Sequence, residues 1–257
     1  MVKRIFLLTT AVLLLATPVS NAVAGQLDDF EGSLDQKSET KPQDKKDTKH
    51  EESSSTSTSD AATGIFESLA GIFMTSLFDM SQEKDMKGLY KYLKRHDIPA
   101  LPTFRLDGIY QYLVGNMNSF NGRVEAGYLM FGIDGEYKRF WESAPSDALN
   151  MAGFHFLVRA LFGEMFQINL ALGEKFLWGD KSHKGFDIGF PFYVIFGEHF
   201  IWDVRPYIAT VGGREVYDVG SGLNFKYKFG GVRAGYRLIG AGGRKLQGPE
   251  VGLFVQF

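Results

Sequence analysis

Val251-Gly252-Leu253-Phe254-Val255-Gln256-Phe257 ends the chain, and its alternation decides the fold. Side chains two apart on a strand share a face, so Val251, Leu253, Val255 and Phe257 make an apolar side while Gly252, Phe254 and Gln256 point the other way. With nothing after it, the segment is expected to be the strand that closes a sheet on itself.

This ending resembles the C-terminal signal of bacterial outer-membrane β-barrel proteins, in which a terminal aromatic, preceded by hydrophobic residues at every second position, is recognised by the barrel assembly machinery. The resemblance is to a broad superfamily, of which this chain reads as a small member. It implies the outer membrane as location, and outer-membrane lipid and the assembly machinery as partners. Val251, Leu253, Val255 and Phe257 then serve as the assembly signal.

The other end of the chain agrees. Lys3 and Arg4 supply a positive start, residues 5–16 a short apolar stretch, and Ala22-Val23-Ala24 before Gly25 a small-residue cleavage site, the three parts of a secretory signal peptide. Residues 1–24 are expected to be removed. As a membrane anchor the apolar stretch falls short of the roughly 20 residues a helical span needs.

Composition narrows the rest. The net charge of -2 leaves no footprint for nucleic acid, and the absence of Cys rules out both a disulfide framework and a lipid anchor on a mature N-terminal Cys. After the signal, no apolar run is long enough for a membrane helix. A membrane protein without such runs has to be a closed barrel, because only closure pairs every backbone group away from water.

Residues 25–62 are polar throughout, from Gln26-Leu27-Asp28-Asp29 to the tract Ser53-Ser54-Ser55-Thr56-Ser57-Thr58-Ser59. So little of this stretch can be buried that it is expected to stay a disordered linker. From 63 to 97 helical spacing takes over. Ile65, Phe66, Leu69, Ile72 and Phe73 form an apolar stripe, and a basic stretch with Lys84, Lys87, Lys91, Lys94 and Arg95 follows. This arm is expected in the periplasm, its stripe covered by lipid, by the barrel or by an envelope partner. Pro99 and Pro102 then break the helical pattern.

Residues 103–257 alternate with period two between turn signals, which predicts an all-β, antiparallel up-and-down transmembrane barrel of about ten strands, or eight if the weak segment 216–224 is loop. Bulky apolar residues fall on one face of each segment and charges on the other, as a lipid-facing wall requires. By parity Arg105, Asp107, Arg123, Glu125, Asp134, Glu136, Arg159, Asp187, Asp203, Arg205, Arg233 and Arg237 face the lumen. A barrel of this size has an interior that side chains fill, so these charges read as a paired plug, with the lining of a narrow pore as the other reading. Starting upward from the periplasm, the turns near 129–132, 163–165, 197–199 and 225–229 are periplasmic. Those over 115–122, 142–149, 179–185, 211–215 and 240–248 are on the outside.

Nothing in the sequence points to a cofactor, and the five His show no metal-ligand spacing. Asp180, Ser182 and His183 share one outer loop, and outer-membrane proteases and lipid A deacylases use Asp-His or His-Ser arrangements, but adjacency in sequence is not triad geometry. Gly230-Gly231-Val232-Arg233-Ala234-Gly235 lacks a dinucleotide-fold context and reads as barrel glycine. The sequence therefore describes a noncatalytic outer-membrane barrel with a periplasmic arm for envelope contact. An enzyme hydrolysing lipid or peptide at the outer rim is the alternative.

Overall fold

A computed structural model describes residues 25–35, the positions 64, 68, 71, 74 and 75, and the segments 103–115, 117–128, 131–143, 146–162 and 166–257. The expected signal peptide 1–24, the linker from 36 onward, and the stripe Ile65, Phe66, Leu69, Ile72 and Phe73 lie outside the described residues. The five positions between 64 and 75 are helical and exposed.

Alternating residues commit the second half of the chain to strands: β1 (Thr103–Leu113), β2 (Met117–Tyr128), β3 (Phe131–Ser143), β4 (Ser146–Phe162), β5 (Phe166–Trp178), β6 (Ser182–Gly189), β7 (Phe192–Phe196), β8 (Phe200–Val211), β9 (Arg214–Tyr227), β10 (Gly230–Ala241) and β11 (Arg244–Gln256). Every pairing is antiparallel, and the β1–β11 and β4–β5 pairings close the sheet. β6 and β7 are two halves of one stave. Gly189 and Phe192 keep a single register against Ala171 and Ile168 of β5, and against Tyr207 and Val204 of β8. Pro191 causes the break, since it has no N–H to donate. The barrel thus has the ten staves expected, with 216–224 a full member inside β9.

Closure runs through the last residue. The Phe257 N–H donates to Phe104 O at 2.9 Å and the Phe104 N–H returns a bond to Phe257 O at 3.1 Å. Along each stave, exposed apolar residues alternate with buried polar ones: Leu106 is 47% exposed and Leu253 67%, while Asp107 between outward neighbours is 2% exposed. One stretch of the outer wall is not open. Ile168, Phe190, Phe192, Val194 and Val204 face outward yet are buried together, flanked by Phe166 and Trp202.

The turns at the end away from the termini are tighter than expected. The strands run on to 114–116, 144–145, 179–181, 212–213 and 242–243, so the predicted loops over 115–122, 142–149, 179–185, 211–215 and 240–248 are mostly strand. Gly212-Gly213 and Gly242-Gly243 all have positive φ, the two-residue hairpin geometry that matches strand twist and that glycine adopts without strain.

The main departure is at the start. Residues 25–62 were expected to be unstructured throughout, but α1 (Gln26–Asp35) is a helix seated in the barrel mouth at this tight-turn end. Leu27, Phe30 and Leu34, at i, i+3 and i+7, share one face and are at most 2% exposed. They pack into a ring that the strand ends supply, including Leu113, Met117, Phe140, Leu149, Leu177, Val211, Val216 and Leu246. A ten-residue helix with three apolar residues is marginal alone; burial in the mouth is what stabilises it.

Candidate functional site

All twelve charges assigned to the lumen by parity are buried inside the barrel, each at most 7% exposed. The structure adds Lys138, Lys175, Asp218 and Glu250, all at most 2% exposed. Among the described residues the polar layer of the lumen therefore holds eight cations, Arg105, Arg123, Lys138, Arg159, Lys175, Arg205, Arg233 and Arg237. It also holds eight carboxylates, Asp107, Glu125, Asp134, Glu136, Asp187, Asp203, Asp218 and Glu250. In this layer the two signs are equal in number; toward the mouth two further carboxylates are buried, Glu142 on β3 and Glu31 on α1.

The pairing is dense. Arg123 donates to Asp134 at 2.8 Å and to Glu125 at 2.7 Å, and Arg159 reaches the other Glu125 oxygen at 2.8 Å. Arg105 donates to Asp107 at 2.8 Å while its guanidinium lies 4.5 Å from the centroid of the inward Phe254 ring. Arg205 stands 2.7 Å from Asp203, which also pairs with Arg233, and Arg233 donates to Glu250 at 3.0 Å. Lys175 and His155 converge on Asp187, both at 3.0 Å. Buried ions need this, because one left without a partner costs several kcal/mol.

One link crosses the whole cavity. Lys138 on β3 donates to Glu136 at 2.7 Å and to Asp218 on β9, which also accepts from Arg237 at 2.8 Å. β3 and β9 are separated by four strands on the β1–β11 side, so they stand on opposite walls of a ten-stave barrel. A side-chain bridge thus spans the diameter.

Above this polar layer sits the apolar ring that α1 fills, and polar contacts hold the helix at its rim. Glu31 accepts the N–H of Lys181 at 2.7 Å and of Asp180 at 3.2 Å. The Ser33 hydroxyl donates to Ala241 O at 3.2 Å, and Asp29 stands 3.2 Å from Arg244. Gly242, with φ of +53°, lies under this contact: a Cβ there would meet Ser33 Cβ at 2.8 Å. The turn around 180–183, singled out as a candidate triad, serves as a rim contact instead. Ser182 and His183 are neighbours on a strand and point to opposite faces, so the three side chains do not converge on one substrate position.

Parity found the twelve lumen charges but left out four. Lys138 and Lys175 lie on the same face of their strands as Glu136 and Asn169 and share the inward parity. Asp218 lies in the segment whose strand status was weakest, and Glu250 just before the quoted C-terminal stretch. Glu31 and Glu142, which hold α1, carried no signal, because nothing in the sequence placed 26–35 near the barrel.

No protein-family model matches the chain, and no curated protein matches it. Among solved structures, the N-terminal β-barrel domain of Pseudomonas aeruginosa OprF is 10% identical, covering 61% of this chain and 98% of its own, with a TM-score of 0.33. Ail, the attachment invasion locus protein of Yersinia pestis, is 14% identical over 60% of this chain and 97% of its own, with a TM-score of 0.33. The KdgM porin in complex with disordered oligogalacturonate is 13% identical over 60% of this chain and 99% of its own, with a TM-score of 0.34.

Proposed function

We propose that the chain is a noncatalytic outer-membrane barrel with a closed lumen, exported by a cleaved signal peptide. The observation that carries this reading is the bridge from Lys138 to Asp218 across the cavity, within a densely paired set of buried charges. An ion path needs continuous water and a charged lining that is not already neutralised by its own partners. Here salt bridges occupy the interior and α1 stops one mouth. The apolar outer wall supports placement in lipid, as does the aromatic belt at the closing end, where Phe104, Tyr128, Phe131, Phe200, Tyr227, Phe229 and Phe257 are all exposed.

With the strand termini on the periplasmic side, the mouth stopped by α1 is the outer one. The basic stretch from Lys84 to Arg95 precedes β1 directly and is the part of the arm suited to contact with a periplasmic envelope partner. Purified protein in planar bilayers tests the closed lumen, and no steady conductance is expected. A stable, charge-selective conductance from the wild-type chain would overturn the proposal in favour of a narrow pore.

A further inference from the structure

Gly25 is the first residue of the stoppered mouth, and its surroundings suit a charged terminus better than an amide. Its N–H donates to Glu142 Oε1 at 3.1 Å. Glu142 is 4% exposed, and its Oε2 is buried without a hydrogen-bond partner among the described residues. A single neutral N–H leaves a buried carboxylate half satisfied, a state that native structures avoid. An ammonium brings three donors and a compensating charge. The peptide bond joining Gly25 to Ala24 is the one that Ala22-Val23-Ala24 marks for removal.

We propose that release of residues 1–24 converts Gly25 into an α-ammonium that docks on Glu142, and that this new terminus locks α1 in the mouth. The idea rests on the reading of the chain as exported with a cleaved signal. The step is hydrolysis by a signal peptidase. The C–N bond of Ala24–Gly25 breaks, water's oxygen ends in the Ala24 carboxylate, and both its protons end on the Gly25 nitrogen.

The geometry couples terminus to plug. Gly25 has φ of +83°, which glycine adopts freely, and the Asp29 N–H closes the first helical turn onto Gly25 O at 3.1 Å. Fixing the Gly25 nitrogen therefore fixes the direction of α1 and the depth of Leu27 and Phe30. A cation at a helix start opposes the helix dipole, so the site has to supply negative charge. It does so from three elements: Glu142 on β3, Asp147 on β4 and Asp29 in the first turn of α1, whereas Asp28 faces Asp147 and opposes it. The described cations at this rim include Arg139, which lines a cleft of about 540 Å³ together with Glu142 and Asp147, Arg244, which pairs with Asp29, and Lys181, Arg214 and Lys245 at the neighbouring turns.

The test uses protein isolated from the membranes of cells expressing the full chain. Intact mass and N-terminal sequencing are expected to give Gly25 as the first residue; a different terminus overturns the proposal. Glu142→Gln keeps an acceptor for an amide N–H but removes the charge. Hydrogen exchange at the amides of 27–34 is expected to quicken about tenfold in this variant, the ratio that corresponds to about 1.4 kcal/mol, while heat-modifiable migration stays that of a folded barrel. Equal exchange in both proteins overturns the proposal. If the variant does not fold, the wild-type protein still decides. After ¹³C reductive methylation, its Gly25 amine is expected to titrate above the ordinary α-amino value of about 8, and an ordinary value refutes the ion pair. Neither readout depends on conductance, so this idea and the closed-lumen reading fail separately.

Discussion

Asp218 is the carboxylate on which the lumen's arrangement turns. Lys138 and Arg237 both donate to it, and Lys175 stands 3.8 Å away. Asp218→Ala would leave three buried cations short of a counter-charge, and the barrel is expected to lose about 3–5 kcal/mol, read as a shift in the urea unfolding curve; an unchanged curve would refute the bridge. At the rim the balance is reversed. Asp147, then burial and a hydrogen bond shared with that carboxyl, push the Asp28 carboxyl up from its ordinary value. A group whose value rises on seating favours the seated state at low pH and loses that contribution as pH climbs through the raised value. Asp28→Asn is therefore expected to seat α1 more tightly than the wild type at pH 7, by roughly twofold for so exposed a group. The advantage should vanish below about pH 4, and hydrogen exchange of α1 measured at both pH values checks this.

Strands were far more legible than the helix. Each stave carries its own evidence, since period-two alternation puts Phe104, Leu106 and Tyr110 on one side and Arg105, Asp107 and Gln111 on the other without reference to any neighbour. The strand ends were less legible, because the barrel keeps pairing through glycine and charged residues such as Gly240, Arg244 and Lys245 that alone read as turn. α1 was hidden for a different reason. Its three apolar residues sit at the head of a long polar tract, and composition over 25–62 averages them away; the ring that receives them is assembled from seven or more separate strand ends. The charge network was readable to the extent that parity is local, while the partners within it were not, because Lys138 and Asp218 meet only when the barrel closes. If the ring is what holds the helix, Phe30→Ala should cost about 3–5 kcal/mol of seating, exposing 26–35 to proteolysis while leaving the barrel's heat-modifiable migration unchanged. Equal protease resistance would mean that α1 is held by its rim contacts alone.

The position of α1 has a consequence for the whole molecule. Asp35 ends at the stoppered mouth, whereas Thr103 begins β1 at the opposite end, roughly 33 Å away at about 3.3 Å per strand residue. Residues 36–102 therefore connect two ends of the barrel. The lumen offers no route, since side chains bridge its diameter and Arg123, Lys175 and Arg205 are buried within it. In a membrane-inserted barrel the connection is expected to change sides outside the lumen, and the most apolar part of its sequence runs from Ile65 to Phe78. Gly64, Ser68, Gly71, Met74 and Thr75 are helical and exposed, and by sequence spacing alone Ile65, Leu69, Ile72 and Phe73 are expected on the side opposite Gly64, Ser68 and Gly71. The buried patch of Ile168, Phe190, Phe192 and Val204 on the outer wall offers that side an apolar partner. A photocrosslinker at position 69 is accordingly expected to capture the β6–β7 wall of the same chain. In intact cells a membrane-impermeant maleimide should label Cys at position 45 and spare Cys at position 90. Labelling of neither position, with crosslinks from 69 to a separate periplasmic protein, would place the whole segment 36–102 inside and show that α1 does not occupy the outer mouth in the cell.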